Sequence, residues 1–182
     1  MRIISGRRRN RCLYFLKMTA QELNTEFVEV KDAAYRYAAS LLHSRSEAED
    51  IVQDLYEKLW RRRLLVRKKG FVQLVMVSTR NMCMDVLRVR HRERGETEDE
   101  VVFWEEEKEQ EDMAAIAGRL IARLPQRERE AVHLRLVEEM DYQLIAQIMG
   151  INESAARMAC SRGRSKVKDE LVKIMGYGTQ KK

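Results

Sequence analysis

Pro125 is the only proline in 182 residues, and there are only eight glycines. That is too few breakers for a chain of many short strands and turns. The cysteines Cys12, Cys83 and Cys160 are odd in number, far apart and in no C-x-x-C pair, which argues against a disulfide framework and for a reducing cytoplasm. No run of about eighteen apolar residues occurs, so no membrane-spanning helix is expected. Also missing are a Gly-rich phosphate loop, an H-E-x-x-H pair and a Gly-x-Ser-x-Gly elbow. His43, His91 and His133 stand apart from one another and from the cysteines, leaving no zinc site and no Cys/His nucleophile. No carboxylate sits in the apolar setting that marks a raised pKa. Neither catalysis nor a cofactor is therefore expected.

What is present is charge: 35% of residues are Asp, Glu, Lys or Arg against 7% aromatics, a composition that suits an all-α fold of one large or two small domains. The net charge of +6 is unevenly spread. Between Glu93 and Asp112 stand eleven acids and two bases, so the rest of the chain carries +15. A basic chain interrupted by an acidic segment suggests two nucleic-acid-binding pieces and a joint that does not bind. The expected organisation is a disordered basic extension over 1–18, a helical domain over 19–94, an acidic linker over 95–112, a second helical domain over 113–176 and a frayed tail over 177–182. The extension holds Arg2, Arg7, Arg8, Arg9 and Arg11, and its apolar run at 12–16 is too short for a signal peptide.

Within the first domain, Leu23, Phe27, Val30, Ala34, Tyr37, Ala38, Leu41 and Leu42 give a long amphipathic helix that Thr19 can cap. A short turn leads to Ser46, which forms a capping-box pattern with Glu49. From Ser46 to Arg61, Ala48, Ile51, Val52, Leu55, Tyr56, Leu59 and Trp60 mark one buried face. Asp50, Gln53, Asp54 and Glu57 mark the opposite one at the same helical spacing. That acidic stripe reads either as a solvated face or as a docking surface for a protein. Arg61-Arg62-Arg63, a short apolar pair and a basic turn at 67–70 follow, then a stretch from Phe71 to Arg94. There Phe71, Leu74, Val75, Met82 and Val86 are expected to pack, while Arg80, Asn81, Asp85, Arg88, Arg90, Arg92 and Arg94 bring polar and cationic groups to the other side. Five arginines in fifteen residues exceed what complementing a helix dipole requires, and arginine pairs with phosphate bidentately.

The second domain starts with a helix carrying Ile116, Leu120, Ile121 and Leu124, stopped by Pro125. Another runs from Arg127 to Val137, with Ala131, Val132, Leu134 and Leu136 as its apolar members. The stretch from Asp141 to Arg157 reads as helix-turn-helix. Ile145, Ala146 and Met149 face inward, Gly150 supplies the positive φ of the turn, Ile151 plugs it, and Asn152 caps the next helix. That helix buries Ala156, Cys160, Gly163, Val167 and Leu171 and exposes Ser154, Arg157, Met158, Ser161, Arg162, Arg164 and Lys166. A plain helical bundle with a basic face is the alternative.

The order of these pieces resembles the extracytoplasmic-function group of bacterial RNA polymerase sigma factors. The resemblance is carried by Ala48-Glu49-Asp50-Ile51-Val52-Gln53-Asp54 with Leu59-Trp60, by Arg80-Asn81 with Asp85 and Arg88, by Leu124-Pro125 with Arg129, and by the helix-turn-helix. It runs from about Phe27 to Leu171. It implies a cytoplasmic initiation factor whose partners are core RNA polymerase and promoter DNA, and leaves an anti-sigma protein as a further partner to test for. Asp50, Gln53 and Asp54 would dock on the polymerase. Arg80, Asn81, Asp85, Arg88, Arg90 and Arg92 would serve the minus-10 element, with the loop before them. Glu153, Ser154, Arg157, Met158, Ser161 and Arg162 would read the minus-35 element. This chain departs from the family at Leu74, where tryptophan is frequent, and at 154–157, where Ser-Ala-Ala-Arg replaces a Gly-Thr-Val-Lys run. A free-standing helix-turn-helix regulator is the competing reading.

Overall fold

The computed structural model describes residues 18–94 and 113–178; the basic extension up to residue 17, the acidic linker and the end of the tail lie outside the described residues. The secondary structure found among them is helical. Helix α1 spans Ala20–Leu42 and is closed at its start by a capping box: Glu22 N–H donates to Thr19 Oγ1 at 3.2 Å, and Thr19 N–H donates to Glu22 Oε2 at 2.8 Å. It ends on His43 at φ 51°. Helix α2 spans Arg45–Arg61. Its N-cap is Ser44 and not Ser46: Ser44 Oγ accepts from Glu47 N–H at 3.3 Å. The capping-box pattern at Ser46 and Glu49 is therefore unused. Glu47 lies where a reciprocal cap would come from, but its carboxylate is drawn to Arg90 instead.

After a short 3-10 turn over Arg63–Leu65, α3 runs Phe71–Arg94. Its core line is Phe71, Val75, Met76, Thr79 and Cys83. Leu74, expected in that line, is 39% exposed, because a 3.6-residue repeat that buries Phe71 and Val75 turns position 74 partly away. Met18, counted with the basic extension, is 2% exposed and donates its N–H to the Val66 carbonyl at 3.3 Å. The first core therefore takes in Met18.

The second unit comprises α4 (Met113–Ala122), α5 (Gln126–Val132), α6 (Tyr142–Met149) and α7 (Glu153–Gly178). A π-helical turn over His133–Val137 prolongs α5. The wider turn shifts the phase of the apolar repeat. Leu136, expected inside, is 49% exposed, whereas Leu134 is fully buried. Pro125 precedes α5, and its carbonyl accepts from Glu128 and Arg129 N–H. Asp141 caps α6 through Leu144 N–H at 2.7 Å. Gly150 takes φ +66°, and Asn152 caps α7 through Ala155 N–H at 2.7 Å. The helix-turn-helix thus has the three local devices its sequence predicts.

Both units share one contiguous core. Helix α1 packs on α2, α3 and α5, while α3 also lies against α6. No helix among the described residues is long and apolar enough to cross a membrane.

Candidate nucleic-acid interface

The acidic face of α2 follows directly from its periodicity. Ala48, Ile51, Leu55 and Leu59 are buried, so Asp50, Gln53 and Asp54 stand exposed on the far side. None of these three meets a partner within the chain among the described residues. Glu57, one turn on, pairs with Arg61 at 3.2 Å. A solvated stripe and a docking face share this geometry. The difference lies in what surrounds it, since the neighbouring exposed surfaces are cationic.

Helix α3 separates its polar residues into two groups. Asn81, Asp85, Arg88 and Arg92 are exposed and recur at i, i+4, i+7 and i+11, forming one stripe. Within it Arg88 Nη1 donates to Asp85 Oδ1 at 2.5 Å. Arg80 and Arg90 belong elsewhere. Arg80 Nε donates to Glu130 Oε2 of α5 at 2.7 Å. Arg90 donates to the Leu42 carbonyl at 3.0 Å and pairs with Glu47. The six residues named together from the sequence are thus four on an open stripe and two held by carboxylates of other helices.

Glu130 is the centre of the contact between the units. Its carboxylate is 1% exposed. It accepts from Arg80, from the Tyr37 hydroxyl at 3.2 Å and from Gln126 Nε2 at 3.2 Å. Burial works against the Arg80 cation, but the Glu130 carboxylate outweighs it and holds the guanidinium above its usual value. Burial raises the Tyr37 phenol well above its ordinary range, reinforced by the Glu130 charge. The same two causes push the Cys83 thiol up to about 12. A second link joins Arg36 to Glu138 through two parallel N–H donors at 2.9 and 2.7 Å. The Tyr37 ring stacks near His133, with centroids 5.9 Å apart.

The basic turn between α2 and α3 carries a feature that sequence reading passed over as an apolar pair. Leu64 and Leu65 are 58% and 79% exposed, between Arg61-Arg62-Arg63 and Arg67-Lys68-Lys69. Trp60 lies beside them, with the Arg63 guanidinium 5.1 Å from its ring centroid. Of the three, Trp60 offers an aromatic face of the kind on which unpaired bases stack within a cationic surround. The signal in the sequence was the isolation of Leu-Leu between two basic triplets.

On α7, Glu153, Ser154, Arg157, Met158, Ser161 and Arg162 are all exposed at its N-terminal half, where a recognition helix meets base edges. Arg157 is preset: it bonds Glu153 at 3.1 and 2.5 Å, and its guanidinium lies 4.5 Å from the Tyr142 ring centroid. Arg135 approaches the same ring at 5.2 Å. Arg162 and Lys166 share Glu128, at 3.4 and 2.8 Å.

Against known proteins, residues 27–93 match the profile of Sigma-70 region 2 and residues 114–167 that of Sigma-70 region 4, together about two thirds of the chain. The chain is 28% identical over 147 residues to the probable RNA polymerase sigma factor RfaY of Xanthomonas campestris pv. campestris, a match covering 74% of this chain. It spans about a third of that relative's length, 36%. Two solved structures share the fold. The sigma factor RpoE in complex with the anti-sigma factor NepR from Bartonella quintana matches with TM-score 0.70 and 22% identity, over 83% of this chain and 97% of that one. CnrH in complex with the cytosolic domain of CnrY matches with TM-score 0.63 and 17% identity, over 84% and 89%. With region 2 ending on the cationic stripe of α3 and region 4 on the helix-turn-helix, the chain belongs to the sigma-70 family.

Proposed function

We propose that this protein is a sigma factor of the extracytoplasmic-function type, which binds core RNA polymerase and directs it to promoters by reading the minus-10 and minus-35 elements. The observation that carries the reading is the unpartnered acidic face of Asp50, Gln53 and Asp54 beside cationic surfaces on the same domain. A DNA-binding domain gains nothing from such a face towards DNA, whereas a protein partner with a basic surface uses it. The stripe of Asn81, Asp85, Arg88 and Arg92, with Leu64, Leu65 and Trp60, serves the opened minus-10 element. Arg80 and Arg90 lie off this stripe, held by Glu130 and by Glu47 with the Leu42 carbonyl, and support the helix from its packed sides. The exposed start of α7 serves the minus-35 element. As one structural relative is captured with an anti-sigma factor, an anti-sigma protein is a natural third partner. The protein acts in the cytoplasm, where polymerase and chromosome are found, and has no catalysis of its own.

Footprinting with purified components tests this. Protection of both elements only when core polymerase is added is the expected result. Protection of one site by the protein alone would favour the free-standing regulator.

Arg157 gives a finer test. Held by Glu153 and Tyr142, it meets DNA with little rotamer freedom left to lose. Arg157→Ala is expected to cost about 1 to 3 kcal/mol of discrimination at one upstream position. Uniform weakening across sequences, with a shallower salt dependence, would make it a phosphate contact instead.

A further inference from the structure

Arg157 is held by its own chain on two sides. Its Nε–H and Nη2–H both donate to Glu153 Oε1, at 3.1 and 2.5 Å, one turn back on α7. One face of the guanidinium lies over Tyr142, 4.5 Å from the ring centroid. Tyr142 stands outside the recognition helix, at the start of α6, and its partly buried ring packs against the core. A second guanidinium, that of Arg135, approaches the same ring at 5.2 Å while donating to the Met140 carbonyl at 2.8 Å. The electron-rich face of a tyrosine attracts both cations. Of the five N–H donors on an arginine, Glu153 takes two along one edge. The far end, with Nη1 and the second proton of Nη2, stays open, and such an end makes a two-pronged contact with a base edge in the major groove.

We propose that Tyr142 is a positioning residue for upstream recognition and that Glu153 works with it rather than on DNA: together they fix the Arg157 guanidinium by one face and one edge, so that only its far end is offered to a base. The base preference at the position Arg157 reads is then set in part from α6, by a residue that need not touch a base. A long side chain that already holds its bound rotamer loses little freedom on binding. A free one would swing to nearby phosphates, which carry no sequence information. Lysine in its place would bring a point charge with neither a planar face for the ring nor an edge for two bonds. The inference rests on the assignment of α7 to the minus-35 element, but the seat on Tyr142 is measured without DNA or polymerase.

Proton–nitrogen correlation spectra of the full chain read the seat. The Arg157 Nε–H signal is expected to carry an upfield ring-current displacement, kept in Tyr142→Phe and lost in Tyr142→Leu. Holoenzyme binding to promoter duplexes randomised across the minus-35 element then reads discrimination base by base, and Arg157→Ala marks the position that Arg157 reads. At that position Tyr142→Leu and Glu153→Ala are each expected to lower discrimination by about threefold or more, with the other positions unchanged and Tyr142→Phe close to the parent. Added to Arg157→Ala, Tyr142→Leu should remove nothing further, because the two act as one unit. Glu153 is exposed, so Glu153→Ala carries the test should Tyr142→Leu fail to fold. A parent spectrum without the displacement, or a folded Tyr142→Leu protein with unchanged discrimination, would overturn the proposal. So would a Tyr142→Leu loss spread over every position and added in full to that of Arg157→Ala, the mark of a merely structural ring. Preference lost in Glu153→Ala at a different position would make Glu153 a reader and overturn its part. If Arg157→Ala alters no position while the displacement is present, the minus-35 assignment of Arg157 is what fails, and the positioning role falls with it.

Discussion

Asp54→Arg is expected to weaken binding to core RNA polymerase by at least about a hundredfold, a loss of roughly 2.7 kcal/mol, with helix content and thermal midpoint unchanged. Asp54 is exposed on α2, opposite the buried line of Ala48, Ile51, Leu55 and Leu59. It bonds nothing else in the chain among the described residues, so the fold has little to lose; surface substitutions of this kind stay within about 0.5 kcal/mol. At an interface the effect is different in kind. Close charge pairs between proteins couple by about 1.5 to 7 kcal/mol, and reversal adds repulsion to the lost attraction. A titration of labelled core with the variant measures the loss. If affinity survives, and Asp50 and Gln53 also tolerate reversal, the docking face has been misplaced.

The second large effect is on stability. Gly163 lies on α7 against α4 and α5, where an added Cβ would stand 2.6 Å from Val132 Cγ2, 3.2 Å from Leu124 Cδ1 and 3.3 Å from Glu128 Cβ. Val132 is fully buried and β-branched, and such a side chain in a helix has essentially one rotamer. The clash cannot be relieved by a side-chain swing, so the helices must part. Overpacking of this sort costs about 1 to 3 kcal/mol, and alanine's better helix propensity returns at most ~1. Gly163→Ala should therefore lower the unfolding free energy measured by urea titration by a net of up to ~2 kcal/mol, and Gly163→Val by more. Gly118 on α4, with nothing within 4 Å of an added Cβ, is the internal control: Gly118→Ala should raise stability slightly. A stabilising Gly163→Ala would mean that α7 does not seat as described.

The local grammar of this chain was largely legible. Thr19, Gly150 and Asn152 announce helix ends through chemistry that acts within three or four residues, and all are used as expected, Glu22 adding the reciprocal bond to the Thr19 cap. Where prediction slipped, two equivalent local choices competed or the backbone left its regular period. Ser44 and Ser46 both precede a glutamate by three positions, and the tertiary pull of Arg90 on Glu47 is invisible from either. Leu136 was misjudged because the π-helical turn breaks the 3.6-residue repeat. The larger omission was Glu130. Its partners Tyr37 and Arg80 lie 93 and 50 residues away, and from composition it is one acid among many on a short helix. Only packing shows that it is buried, and only burial gives it consequence. The same holds for Arg80 and Arg90, which look like members of one cationic series until α3 is placed between two neighbours.

Run-off transcription asks whether the protein confers promoter-specific initiation on core polymerase. Core polymerase, fragmented genomic DNA from the source of the chain and nucleotides are combined with and without the purified protein. Discrete transcripts are expected that appear only with the protein, start a fixed distance downstream of a shared pair of elements, and disappear with Asp54→Arg. Transcription indifferent to the protein, with core binding equally absent, would contradict that role.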